Sequence, residues 1–269
     1  MKKLKLASIL TGILIMAVAA SSVSAFATTP EIVGRENITK ALESAAKPIE
    51  GKIIRVDIPD GKGGYTTLEG EAAQKHYEEA VEQTQKALLD DLTVSSLSSQ
   101  AKVQSGSRRG PFHYQYRYVE TQHTNDVSRT DLRRNVSNKL TNESSADQTY
   151  TLELSVSQSW TINPEVSGEL LNAVKLKLGG SWGKTYSKRD TFTVNIKPWK
   201  SVQIQFVPIM DKSVGNAQKY YIPRNSIFNK PVIEQNVPVT TYNPKYLTQQ
   251  VGSKTIQTVY GEYYWVESY

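Results

Sequence analysis

The chain has 269 residues, a formal net charge of +6 and no cysteine. That length leaves room, behind a leader, for one large β domain or two smaller ones. The lack of cysteine excludes disulfides, cysteine metal sites and lipid attachment at a cysteine, so packing alone must hold the fold together.

The first residues read as an export signal. Lys2, Lys3 and Lys5 precede an apolar run from Leu6 to Ala20, and small residues follow. This is the order of a signal peptide over residues 1–27, cleaved after Ala25 or Ala27. The alternative is an uncleaved N-terminal anchor, although the apolar run is short for a membrane span. No second long apolar run occurs. The expectation is a secreted, extracellular protein.

Charge is uneven behind the leader. Residues 28–92 hold 8 Lys+Arg against 13 Asp+Glu, net −5, and residues 93–269 hold 21 against 13, net +8. A cationic second part fits an anionic surface such as membrane lipid, or is an ordinary solvated basic face.

Residues 28–92 read as a small N-terminal α/β segment. Ile53, Ile54, Val56 and Ile58 make a strand, residues 59–64 a Gly-rich turn, and Tyr65 to Leu68 a returning strand. From Glu69 to Leu92, apolar residues recur at helical spacing, with Glu71, Glu78, Glu79 and Glu82 on the other face. Residues 93–110 are rich in Ser, Gln and Gly and read as a linker. They include Arg108 and Arg109, which mark either a site of proteolytic activation or two incidental linker arginines.

From 111 to 269 the chain reads as β. Phe112, Tyr114, Tyr116 and Tyr118 alternate with other residues, and residues 131–142 suggest the next strand. Runs Phe192/Val194/Ile196 and Val202/Ile204/Phe206 follow, joined across Lys197-Pro198. After Pro208 the prolines predict short extended pieces. Tyr260, Tyr263, Tyr264 and Trp265 near the end are candidates for surface binding, because each joins an apolar body to a polar edge; the alternative is ordinary strand packing.

The most informative stretch is 148–184, which reads as an amphipathic hairpin. In its first arm Leu152, Leu154, Val156, Trp160 and Ile162 share one parity, against Glu153, Ser155, Ser157, Ser159 and Thr161 on the other. In the second arm Val174, Leu176 and Leu178 oppose Lys175 and Lys177, with Leu170 and Leu171 near the tip. Alternating side chains point to opposite faces of a strand, so the pattern gives one apolar and one polar face.

Enzyme chemistry finds no support. His76, His113 and His123 lack ligand spacing, and no P-loop, H-E-x-x-H or G-x-G-x-x-G pattern occurs. The expectation is a non-enzyme with no cofactor and no metal. No nucleic-acid partner is expected for an exported, mildly basic chain without a reader motif.

The Asn- and Ser-rich passage Val136 to Ser145, then Thr149 to Leu152, the Ser-alternating hairpin and the step Ile196-Lys197-Pro198-Trp199-Lys200 together resemble the aerolysin-like family of β-pore-forming proteins. The resemblance covers about residues 112–210. It implies elongated antiparallel β-sheets, membrane lipid or a cell-surface receptor as partner, and a homo-oligomer on membranes. It further implies that the hairpin's apolar side chains, from Leu152 to Leu178, face lipid and its polar ones the pore lumen. A barrel strand needs roughly 9–11 residues to cross the hydrocarbon. Glu165, Glu169, Lys175 and Lys177 give this hairpin more charge than is usual in that family. The competing reading is a non-lytic extracellular or envelope-associated β-protein, with the apolar face packed as a sandwich core.

Overall fold

In the computed structural model the chain is mainly β, with antiparallel sheets and few helices. The structure describes residues 35–46, 49–98, 113–159, 161–162, 166, 168–179, 185–223, 230–251 and 253–268. In chain order the elements are α1 (Arg35–Ala46), β1 (Lys52–Pro59), β2 (Tyr65–Glu69), α2 (Glu71–Ser98), β3 (Gln115–Ser128), a 3-10 turn (Thr130–Leu132), β4 (Arg134–Asn135), β5 (Leu140–Thr141), β6 (Gln148–Gln158), β7 (Thr161–Ile162), α3 (Gly168–Leu178), β8 (Tyr186–Ile196), β9 (Ser201–Tyr221), β10 (Val232–Pro244), β11 (Tyr246–Val251), β12 (Lys254–Val259) and β13 (Gly261–Ser268).

Strand β9 organises the molecule. Its 21 residues extend roughly 70 Å at the usual rise per residue. The first half pairs with β13 on one edge and with β4 and β5 on the other. The second half pairs with β10 and β3. Pro208, expected to end the strand, lies inside it at the changeover of partners. There Arg129 N donates to Pro208 O at 3.0 Å and Ile209 N to Tyr260 O at 3.1 Å. The alternation also slips: Val207 packs with Tyr77 of α2, and so three residues later does Met210 with Ala87 of the same helix. A proline without an N–H is tolerated where the ladder is already interrupted.

The upper half of the sheet is covered on both faces. On one face β6 and β8, joined by an unbroken ladder from Gln148↔Ile196 to Gln158↔Tyr186, place Leu154, Val156, Phe192, Val194 and Ile196 against Ile204, Phe206, Tyr263 and Trp265. The other face carries α2, with Ala73 and Tyr77 on Ile53, Val56, Val207 and Tyr264. The candidate surface aromatics are therefore corrected: Tyr263, Tyr264 and Trp265 are buried, and the half-buried Tyr260 donates its hydroxyl to Pro59 O at 2.9 Å. Residue after residue of β13 is buried because its strand is sandwiched between layers, which removes the polar parity that a one-sided sheet would show.

The N-terminal segment is not a separate unit. β1 pairs with β13, from Lys52↔Glu267 to Asp57↔Tyr263, and the buried Asp57 accepts from Arg55, Thr67 and the Trp265 indole. The expected helix is α2, which continues to Ser98 and so takes the first residues of the anticipated linker. The rest of that anticipated linker, with Arg108 and Arg109, lies outside the described residues, as do residues 1–27, the expected signal peptide. Helix α1 was not legible as a helix. The strand expected over 131–142 is instead the 3-10 turn plus β4 and β5. Its ladder is broken where Val136 N and Ser137 N both donate to Ile204 O.

Two polar clusters attach α2. His76 Nε2 lies 2.9 Å from Glu262 Oε1 on β13, and this hydrogen bond raises the imidazole pKa against the opposing effect of burial. Farther along, Lys212 Nζ reaches Asp91 at 2.8 Å and the Ala87 carbonyl at 2.7 Å. Tyr242 Oη donates to Asp91 at 2.6 Å.

A candidate membrane-inserting segment

The ribbon β6–β8 has one closed side and one open end. At the closed side, the Lys197–Lys200 turn carries the chain from β8 into β9. Lys200 N donates to Lys197 O at 3.2 Å, and Trp199 takes φ +61°, as the third residue of a type II turn requires. Asn142, fully buried, braces this corner. Its amide donates to Ile196 O at 2.8 Å and to Ala146 O at 2.7 Å, and its Oδ1 accepts from Ser144. The Asn–Ser-rich passage read from the sequence is thus a structural staple.

The open end is the pair Gln158↔Tyr186. It lies level with the middle of β9, because Arg134, paired with Phe206, donates to Gln158 Oε1 at 2.9 Å. Residues 159–185 leave and return at that one point. Within them, β7 adds two residues to β10. Helix α3 then lies across the lower half of the sheet, on the face opposite α2.

The expected second hairpin arm is corrected here: residues 168–178 form a helix, and the partner of β6 is β8. The physical reason is a double period. Leu170, Leu171, Val174 and Leu178 satisfy three-to-four spacing as well as Val174, Leu176 and Leu178 satisfy alternation. Leu, Ala, Lys and Glu are strong helix formers. Glu169 in the first turn and Lys175 and Lys177 in the last also suit the helix dipole.

The packing of α3 is thin. Val166, Leu170 and Val174 are buried against Tyr118, Ala217 and Val239, with Leu171 and Leu178 at the margin. Leu176 is 84% exposed. Leu170 and Val174 of α3, with Val166 just before it, contribute roughly 5–9 kcal/mol of gross apolar transfer before the cost of ordering the helix, and the small Ala173, also buried, adds little. Beside the helix, Glu120 accepts from Ser213 Oγ at 2.6 Å and contacts His123 at 2.8 Å. Burial pushes the Glu120 carboxyl up, but these hydrogen bonds and the nearby Lys177 outweigh it and hold the pKa low.

The structure thus divides the candidate lipid-facing residues. Leu154 and Val156 are buried in the upper core, and Leu152 packs at its edge. Leu170, Leu171, Val174 and Leu178 hold α3 to the lower sheet. Trp160 lies outside the described residues, and Ile162 sits in β7. Of the candidate lumen residues, Glu153 is exposed, Ser155 and Ser157 are half-buried, and Ser159 is buried. Thr161 falls in β7 and Lys175 and Lys177 on α3. Among the described residues no group of His, Asp and Glu is placed to hold a metal, and no helix is long and apolar enough to cross a membrane. Comparison with family models, with curated proteins and with solved structures found no match to this chain.

Proposed function

We propose that this is a secreted membrane-binding protein that oligomerises into a β-barrel pore, with residues 159–185 refolding into a hairpin that prolongs the β6–β8 ladder. The carrying observation is the register. Continuing the pairing beyond Gln158↔Tyr186 sets Ile162 opposite Trp182, Val166 opposite Leu178, Leu170 opposite Val174 and Glu169 opposite Lys175. Trp160, Ile162, Val166, Leu170, Val174, Leu176, Leu178 and Trp182 then share the face of Leu154 and Val156. Ser159, Thr161, Glu165, Ser167, Glu169, Lys175 and Lys177 share the other, where Glu169 and Lys175 form an opposite-charge pair. Leu171 alone among the large apolar residues falls on the polar face, beside the turn. Each arm has roughly 12 residues, enough to cross a bilayer core. A lone hairpin leaves unpaired backbone in hydrocarbon, so several copies must close the barrel. The resemblance to aerolysin-like proteins supports the same reading and its elongated-sheet fold.

The test is dye release from liposomes by a double variant, Tyr118→Cys with Val174→Cys, which ties α3 to β3 in an otherwise cysteine-free chain. The oxidised form is expected to be silent and the reduced form to leak. Equal leakage in both states, or none from the unmodified chain, would overturn the proposal. One observation favours a non-lytic binding protein instead: the inner face of β6–β8 is fully interleaved with the upper sheet. In that case vesicles bind without leaking and no oligomer survives heating in detergent.

A further inference from the structure

We infer that the far end of the lower sheet is a second lipid contact, one that seats the protein in the headgroup zone of an anionic bilayer. Exposed apolar side chains cluster at this end. Among the described residues, Tyr114, Tyr116, Val119, Ile222, Val232 and Ile233 are large, apolar and more than a third exposed. All lie where β3 begins, β9 ends and β10 begins. Tyr116 pairs with Lys219, Ile233 with Tyr220 and Val232 with Tyr221, and Ile222 comes next in the chain. Apart from Val119, set deeper, they occupy about three residue steps, or roughly 10 Å of strand. That matches the depth to which interfacial elements sink.

Both faces of this end carry the same equipment. Tyr114, Tyr116 and Val232 lie on the face that α3 covers farther down, and there Lys219 Nζ stands 3.9 Å over the Tyr114 ring while paired with Glu234 at 2.7 Å. Ile233 and Val119 lie on the opposite face, and there the Arg117 guanidinium stands 4.7 Å over Tyr220. A protein partner docks against one face of a sheet. A bilayer interface surrounds an inserted end and wets both. Tyrosines beside aliphatic residues, with basic residues just behind, are the side-chain types that settle at the headgroup level. Glu234 neutralises Lys219, so the charge offered to a negative membrane surface comes from Arg117, whose Nε donates to the neutral Gln218. The inference deepens the membrane reading above and takes from it only the nature of the partner.

Single-cysteine variants, Tyr116→Cys on one face, Ile233→Cys on the other and Lys62→Cys in the β1–β2 turn, would carry an environment-sensitive fluorophore on the full chain. With phosphatidylcholine vesicles containing phosphatidylserine, both end probes should shift to the blue and the turn probe should not. The triple variant Tyr116→Ser, Val232→Ser, Ile233→Ser should co-sediment with the same vesicles at least about tenfold less tightly, given the apolar area it withdraws from the interface. Its melting curve checks the fold, and the single probes stand as evidence if it misfolds. A shift on one face only, no shift on either, or undiminished binding by a folded triple variant would overturn the inference. Dye release on the same samples separates the two proposals. Leakage without end-probe shifts sinks this one alone, and shifts on both faces without leakage sink the pore alone.

Discussion

The two halves of β9 are built from the same strand and held in different ways. The upper half lies between two layers, with aromatic side chains interlocked on one side and α2 on the other. The lower half shares α2 but has only α3 and its few apolar contacts on the opposite face. One backbone thus joins a region that can hardly open to one whose cover rests on a single helix stripe. Regions with few buried apolar contacts open at low free energy, well below global unfolding. The contrast locates where a conformational change is cheapest, and it can be attacked from either side.

The largest expected effect is in the upper core. Phe206→Ala, at a side chain 1% exposed, should cost about 3–5 kcal/mol, read as a drop in the urea midpoint. Next come two glycines, one in each half. A Cβ at Gly261 would meet the Phe206 ring at 2.3 Å and Val207 O at 2.6 Å. One at Gly215 would meet Val119 O at 2.4 Å and the Tyr118 ring at 2.7 Å. Each alanine substitution should cost about 1–3 kcal/mol through overpacking. Gly261→Ala should lower the global midpoint, whereas Gly215→Ala, by displacing Tyr118, should also loosen α3. Equal behaviour of the two would dissolve the contrast between the halves.

Val174→Ala is the sharper test of the lower half. Its loss of about 2 kcal/mol of burial should appear as faster amide exchange confined to α3, with little change in the exchange of β6 and β8. Uniform acceleration would mean that α3 unfolds only with the whole molecule. The smallest effect concerns pH. The His76 pKa is raised by its hydrogen bond to Glu262, with Glu79 adding attraction. A raised folded pKa gives stability that is full below the unfolded value near pH 6.5 and is lost as pH rises through the folded value. Melting temperature should therefore fall modestly from about pH 6.5 upward, and His76→Gln should flatten that slope. His123, raised by Glu120, leaves a smaller residue of the same sign.

Several features of this arrangement could be read from residues alone, and the reasons are physical. Alternation at Phe192/Val194/Ile196 and Val202/Ile204/Phe206 marks strands with one buried face, and these became β8 and the start of β9. The turn at residues 59–64 and the helix after it were also legible, because glycine and helical spacing act locally. Residues 168–178 misled because their apolar residues fit two periods, and the choice fell to packing against Tyr118 and Ala217, distant in sequence. Tyr263 to Trp265 misled because a strand buried on both sides has no polar parity to betray it. The exposed end of β3, β9 and β10 was invisible for a simpler reason: exposure of Val232 or Ile233 depends on which neighbours arrive, and composition is silent about that.

The position of β13 has a consequence for the timing of folding. It stands between β1 and β9, and its Trp265 binds Asp57 across 208 positions of chain. Neither β1 nor the β9 edge can complete its ladder until those late residues are present. Contacts of such long sequence separation slow the search for the native state. A nascent chain would therefore keep β1 and this edge of β9 open until β13 had emerged, with Trp265 made 208 positions after its partner Asp57.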